Sequence, residues 1–429
     1  MTIGILGGGQ LGYMLALAGY PLGLHFRFLD PSPEAPVGRI AQRVTADYTD
    51  RAALEKFSSG LELVTYEFEN VPVEAANFLT ERVPVYPPPA ALEAAQDRLA
   101  EKDLFRTLGI ATTEFASVSN PGELDAAVKT LGLPAVLKTS RMGYDGKGQW
   151  ILRTAEDVAK AKSELPPVKL ILERFVPFTR ELSVLAVRSR NGETAIYPLV
   201  ENHHRNGILR LSLAPAPRLE PSIQRAAENA ARRVLESLKY VGVLAIEFFE
   251  HRGELLANEM APRVHNSGHW TIEGAVTSQF ENHLRAVLGL PLGSTAAAGH
   301  CAMLNLIGDL PESSEVLAVP DAHLHLYGKS PRPGRKLGHV TLRAASPERL
   351  ALRLSELPAF FHRPDFCLDA ALAPSAPDTP GIFPVWWRVF EPVLFSSQAL
   401  PRSRPSVHLH FNLLRPGAHS AVLRVGSLD

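Results

Sequence analysis

Cysteine is scarce in this chain: Cys301 and Cys367 are the only two among 429 residues. Two such residues build neither a disulfide framework nor a cysteine metal cluster, which points to a reducing compartment. Net charge is missing too. Lys and Arg total 44 against 45 Asp and Glu, so no bulk field gathers nucleic acid or an anionic membrane, and an anionic ligand must be held locally. No apolar run approaches about 20 residues, and Met1 leads into an apolar strand without a basic segment, so neither a membrane span nor a signal peptide is expected. A soluble, cytoplasmic protein without nucleic-acid or membrane partners follows as the expectation. No internal repeat is present either. The length suggests two to four domains with large buried cores.

The most informative stretch is 255–270, LLANEMAPRVHNSGHW, with the segment before it at 241–249, VGVLAIEFF. The earlier run is apolar and β-branched apart from Glu247, and the later one carries Asn258 and Glu259 before Pro262 ends ladder donation. A short glycine-containing link between them predicts a hairpin. With a three-residue turn of His251, Arg252 and Gly253, Glu250 pairs with Glu254 and Glu259 shares a face with Glu247; an even-length turn separates them. On one face the two acids would sit diagonally, roughly 7 to 8 Å apart. Unpaired carboxylates in so apolar a setting repel and resist ionisation. A hard ion such as Mg²⁺, which takes one or two carboxylates plus phosphate oxygens, resolves the conflict; an ordinary solvent-facing edge strand is the plainer alternative. Arg263, His265, Asn266, Ser267 and His269 follow at once.

At the start of the chain a strand over 2–6 feeds Gly7, Gly8, Gly9 and Gln10 and then a helix over 11–18. Strand, glycine loop and helix form a phosphate-binding arrangement. Gly7, Gly9 and Gly12 match G-x-G-x-x-G, and Asp30, after a strand over 25–29, stands where a dinucleotide fold places its ribose acid. The fingerprint leaves two readings open, a nicotinamide site or another phosphate-bearing ligand; nothing downstream resembles hydride chemistry. A strand over 61–66 ends in Glu67, Phe68, Glu69 and Asn70. Glu67 is expected to touch ligand and Glu69 to cap the helix that starts near Pro72. The prolines at 87, 88 and 89 form a stiff break, which closes a first domain near residue 93.

A helix bearing Asp97, Arg98, Glu101 and Lys102 follows, its charges spaced for surface pairing. Beyond a helix over 124–131 and a strand over 135–138, the loop RMGYDGKGQ (141–149) carries three glycines around Asp145 and Lys147. Such a loop suits a flap whose amides and lysine close over a triphosphate, or else a surface hairpin. Lys138, at a strand end, is placed to hold phosphate charge. A strand over 170–172 runs into the connector Glu173, Arg174, Phe175, Val176 and Pro177, whose main chain could read an adenine edge. Glu181 comes next, then a loop of Glu201, Asn202, His203, His204 and Arg205, in which one of the paired histidines could be purely structural.

GGGQLGYM, YEFENV, GYDGKGQ, ERFV, ENHHRNGIL, NEMAPRVHNSGHWT and HLYGKSPRPGRKLGHV occur in that order. Together they resemble the N5-carboxyaminoimidazole ribonucleotide synthetase family of ATP-grasp enzymes, over residues 1–357. The resemblance implies a fold of α/β and α+β type. It comprises a Rossmann-like preATP-grasp domain at 1–93, an ATP-grasp domain at 94–293 with a lid over about 112–172, and a small C-terminal β domain at 294–357. It implies ATP-dependent carboxylation of 5-aminoimidazole ribonucleotide by bicarbonate, through carboxyphosphate, in purine biosynthesis, by a homodimer. Glu247 and Glu259 would hold Mg²⁺, or Mn²⁺ in its place. The ATP site would comprise Arg98, Lys138, Gly143, Tyr144, Asp145, Gly146, Lys147, Gly148, Gln149, Glu173, Arg174, Phe175, Val176, Glu181, His204, Asn258 and Glu259. The ribonucleotide site would comprise Gln10, Leu11, Glu67, Arg263, His265, Lys329 and Arg335. Arg263, His265, Asp145 and Lys147 would serve the chemistry, with Asp145, His265 or released phosphate taking the amine proton. A formate-dependent glycinamide ribonucleotide transformylase and a biotin carboxylase share the metal hairpin and flap and stand as alternatives.

From about residue 358 the chain departs from that pattern, with frequent proline and no lysine. Residues 358–429 are read as a divergent, poorly ordered extension, with Trp386 and Trp387 as the anchor of a rival partner-binding reading.

Overall fold

A computed structural model describes residues 1–143 and 148–368. Its first sheet holds β1 (Thr2–Leu6), β2 (His25–Leu29), β3 (Gln42–Val44) and β4 (Leu63–Tyr66), all parallel, in the order β3-β2-β1-β4. Parallel strands need crossovers and both faces covered, and α1 (Gln10–Gly19), α2 (Arg51–Ser58) and α3 (Val73–Thr80) supply them. Leu6 is level with both Leu29 and Tyr66. That register brings the glycine loop, Asp30 and Glu67 to one carboxyl edge, where open parallel sheets bind ligands.

Two short helices, α4 (Pro89–Gln96) and α5 (Arg98–Thr107), lead to an antiparallel sheet of β5 (Phe115–Val118), β6 (Ala135–Thr139), β7 (Gln149–Leu152) and β8 (Leu170–Arg174). Its order is β5-β8-β6-β7. Helices α6 (Pro121–Leu131) and α7 (Ala155–Ser163) close its core through Leu124, Val158 and their neighbours. β6 and β7, which flank the glycine-rich stretch in the chain, pair antiparallel. Tyr144, Asp145, Gly146 and Lys147 lie outside the described residues. Glu173 belongs to β8 itself, so the connector begins one residue beyond Arg174 and not at Glu173.

The third sheet runs β14-β13-β9-β11-β12-β15-β17-β16, with β10 added to β9. Its strands are β9 (Arg180–Arg188), β10 (Thr194–Ile196), β11 (Val200–Arg205), β12 (Ile208–Ala214), β13 (Gly242–His251), β14 (Glu254–Ala261), β15 (His300–Ile307), β16 (Ala322–Leu326) and β17 (Lys336–Ala344). The expected loop at 201–205 is therefore strand β11, bulged between His203 and His204. Ile223, Ala227, Ala230, Ala231 and Val234 recur at helical spacing on α8 (Pro221–Ser237) and pack against Leu182, Val184 and Leu244. No helix among the described residues is long and apolar enough to cross a membrane. Residues 358–368, expected to begin the disordered extension, instead bury Phe361, Phe366 and Leu368 against Leu304 and Leu342, because three apolar side chains there find a core to fill. Residues 369–429, including Trp386 and Trp387, lie outside the described residues.

Candidate active site

The β13–β14 hairpin reaches the expected arrangement by another route. Its turn has two residues, Arg252 and Gly253, at φ 52° and 76°, the double left-handed conformation of a tight hairpin. His251 pairs with Glu254 and Glu250 with Leu255, not with Glu254. Continued regularly, that register would set Glu247 opposite Asn258. Instead Phe248 faces Ala257 and Glu247 faces Glu259, so Asn258 is the extra residue of a β-bulge. The bulge restores the parity that the even turn removes, and places the two acids directly opposite one another rather than diagonally.

An edge strand that bulges needs its loose backbone groups satisfied. Helix α5 and its neighbours do this. Lys102 Nζ donates to the carbonyls of Ala257 (3.1 Å) and Asn258 (2.8 Å), Thr112 Oγ1 donates to Ala257 O (2.9 Å), and Glu101 accepts from the Met260 amide at 2.6 Å. Glu101 and Lys102 are both buried, Lys102 completely. The surface pairing expected for this helix is thus replaced by internal bracing. Lys102 also stands 3.9 Å from Glu173, which accepts from Lys138 at 2.9 Å, so the lysines link the second sheet to the hairpin. Burial opposes ionisation of Glu173, but Lys102 and Lys138 outweigh it and hold the carboxyl down at about 2.

A cleft of about 200 Å³ lies above the two acids. Of the residues expected in a site, Gln10, Leu11, Arg98, Gly143, His204, Glu247, Glu259, Arg263 and His265 line it. Burial pushes Glu259 up, yet the Arg98 guanidinium at 2.8 Å outweighs this and keeps it ionised below its ordinary range. Glu247 moves the other way, raised by burial and then by the Glu259 charge. His265 is lowered to about 3, by burial and then by Arg263, and its neutral ring sets Nε2 3.5 Å from Glu247 Oε1. Burial opposes the charge on His204, but contact with Glu181 carries it up to about 9, which makes it a cation at neutral pH.

Other expected residues stand behind this lining. Lys329 contacts Gln10. Arg335 is held by Ser330, at 3.2 Å to its carbonyl and 3.0 Å to its hydroxyl. Arg174 pairs with Glu114 on the surface, the Phe175 amide donates to Pro134 O at 3.1 Å, and Val176 accepts from the Phe178 amide at 2.9 Å. The Thr139 amide donates to Gly148 O at 2.8 Å, and Gln149 pairs with Lys138 across β6 and β7. Glu69 does not cap α3, whose N-cap is Pro72; it pairs with Arg263 in the cleft wall. Lys336 also lines the cleft. Sequence reasoning passed over it in favour of Arg335, although its place as first residue of a strand was the available signal.

The glycine loop is settled differently. The Gly8 amide donates to Asp30 at 2.6 Å, and the Gly9 and Gly12 amides donate to Glu67 at 2.7 and 3.3 Å. A Cβ at Gly9 would lie 2.7 Å from Glu67 Oε1, so the missing side chain makes room for an internal carboxylate. Two acids occupy the amides that a pyrophosphate would need, which removes the nicotinamide reading.

The donor set suits a hard divalent ion. Glu247 and Glu259 face one another, and Asn258 Oδ1 is buried without a partner among the described residues. No group of three or more His, Cys, Asp or Glu there is arranged for a metal. The remaining ligands would be phosphate oxygens and water, the usual pattern for Mg²⁺.

Three stretches match known domain families: residues 1–96 the ribonucleotide synthetase preATP-grasp domain, 103–280 the ATP-grasp domain, and 301–353 the phosphoribosylaminoimidazole carboxylase C-terminal domain. An N5-carboxyaminoimidazole ribonucleotide synthase of Pseudomonas aeruginosa is 56% identical over 359 residues, covering 84% of this chain and 99% of its own. The crystal structure of N5-carboxyaminoimidazole ribonucleotide synthetase from Thermus thermophilus superposes with a TM-score of 0.80 at 62% identity, covering 82% of this chain and 97% of that one. An N5-carboxyaminoimidazole synthase from Aspergillus clavatus, solved with ADP and 5-aminoimidazole ribonucleotide, gives a TM-score of 0.77 at 31% identity, over 82% of this chain and 96% of the other. The chain belongs to the N5-carboxyaminoimidazole ribonucleotide synthase family of ATP-grasp ligases.

Proposed function

We propose that this protein uses ATP to join bicarbonate to the exocyclic amine of 5-aminoimidazole ribonucleotide, giving N5-carboxyaminoimidazole ribonucleotide, ADP and phosphate. The observation that carries the reading is the bulged hairpin, which sets Glu247 against Glu259 at the floor of a cleft also lined by Arg98, Arg263, His265 and Lys336. When bound by these two glutamates and Asn258, Mg²⁺, or Mn²⁺ in its place, would neutralise charge on the ATP phosphates.

The rest is positioning and exclusion of water. Arg98 and Lys138 are cations set beside the acids and suited to phosphate oxygens. The stretch from Gly143 to Gln149, with Asp145 and Lys147, is assigned to cover the triphosphate, and the strand end from Glu173 to Val176 to hold the adenine, with Glu181 and His204 toward the ribose. Arg263, kept in place by Glu69, faces the carboxyphosphate that forms when bicarbonate takes the γ-phosphoryl group. Carboxyphosphate hydrolyses readily, so a dry, preorganised site is part of the chemistry. Gln10, Leu11, Glu67, Lys329 and Arg335 are assigned to the ribonucleotide side, Glu67 acting through the loop it holds and the two basic residues meeting the 5′-phosphate.

We assign residues 1–93, 94–293 and 294–357 to preATP-grasp, ATP-grasp and C-terminal domains, and place the protein in the cytoplasm as a homodimer. ADP release tests the function. It is expected only when bicarbonate and 5-aminoimidazole ribonucleotide are both supplied, and formate supporting it in place of bicarbonate would overturn the assignment.

A further inference from the structure

Behind His265 runs a line of buried neutral side chains. Ser212 Oγ donates to Asn202 Oδ1 at 2.8 Å, Asn202 Nδ2 to Ser183 Oγ at 2.9 Å, and Ser183 Oγ to Ser267 Oγ at 2.8 Å. Ser267 Oγ then meets His265 Nδ1 at 2.9 Å. Ser212, Asn202, Ser183 and Ser267 are all buried. Ser183 and Ser267 each accept from the group before, so each has its own proton free for the group after it. Reversing the line would require a proton on Nδ1. The Ser267 backbone amide works against that, since it points at the same Nδ1 from 3.3 Å and can only donate.

We propose that the Ser212–Asn202–Ser183–Ser267 line, closed by the Ser267 amide, locks His265 as the neutral tautomer that carries its proton on Nε2. The nitrogen facing Glu247 and the cleft is then a hydrogen-bond donor. His265 cannot take the amine proton in this state. It orients a carboxylate or an acyl oxygen, and the proton leaves by another route. Ser183, Asn202, Ser212 and Ser267 are positioning residues that act on the chemistry only through the His265 ring. The tautomer follows from the hydrogen bonds alone, while its role in carboxylation rests on the function proposed above.

Nitrogen-15 spectra of histidine-labelled full-length protein decide the matter, with the His265 signals assigned by their loss in His265→Asn. The expected result at neutral pH is an unprotonated Nδ1 and a proton-bearing Nε2, with or without substrates. A proton on Nδ1 in the unmodified protein would overturn the proposal, whatever the enzyme assay shows. Asn202→Asp supplies a second reading, because its carboxylate only accepts and turns the Ser183 hydroxyl away from Ser267. A shift of the His265 proton toward Nδ1 is expected, together with a kcat loss on the order of tenfold to a hundredfold at unchanged KM for ATP. Unchanged ring signals in Asn202→Asp would show that the line does not set the tautomer.

Discussion

At the carboxyl edge of the first sheet, Asp30 and Glu67 face inward and are matched by the amides of Gly8, Gly9 and Gly12. In the β13–β14 hairpin, Glu247 and Glu259 face each other across the ladder, with Arg98 beside one and His265 beside the other. Both regions hold a pair of acids, but the first pair is matched by backbone amides and the second keeps an excess of negative charge. A glycine-rich loop is an anion site only while its amides are unclaimed. Paired carboxylates on a strand recruit a cation only when the backbone holds them on one face.

The contrast is sharpest at Lys102, a fully buried lysine that braces the hairpin backbone. Replacing it by Met strips the donor from the Asn258 carbonyl, one of two donors from the Ala257 carbonyl and one cation from Glu173. The expected cost is about 3 to 5 kcal/mol in a denaturant titration. A loss below about 1 kcal/mol would mean that the bulge stands without its brace.

Glu173, tied to the hairpin through Lys102, and Glu67 should also titrate in opposite directions. Glu173 ionises at about 2 in the folded protein against an ordinary 4.5. Its contribution is therefore present above pH 4.5 and disappears as pH falls toward 2, a change of about 3 kcal/mol. Glu173→Gln should flatten that acid limb. Glu67 is raised instead, by burial that the Gly9 amide only partly offsets, so its contribution is fullest below pH 4.5 and declines as pH rises. The smallest effect is expected from Glu67→Gln, which keeps an acceptor for Gly9 but turns an N–H group toward the Gly12 amide. Roughly 1 to 2 kcal/mol should be lost, and the decline with rising pH should vanish with it.

Much of this architecture was legible in the chain. The strands at 2–6 and 25–29, and the pairing of 241–249 with 255–261, follow from apolar runs broken by glycine and proline. The turn length was not, because Arg252 occupies a left-handed conformation that side chains rarely adopt, and counting predicted a three-residue loop. Nor does period-two counting reveal a bulge, so the correct shared face was reached through two compensating departures. Glu101 and Lys102 looked like a solvated helical face because spacing cannot tell water from the edge of another strand. Glu69 beside Pro72 has the pattern of a cap, and only the fold brings Arg263 to it from 194 residues away.

In the proposed mechanism Glu247 and Glu259 serve one cation together. Calorimetric titration of ATP, with and without Mg²⁺, into the unmodified protein, Glu247→Gln, Glu259→Gln and the double variant tests it directly. Each single change should abolish most of the Mg²⁺-dependent gain in affinity, and the double change should remove no more than either alone. Losses that add, or a Mg²⁺-dependent gain that survives in both single variants, would show that the two glutamates do not share a cation.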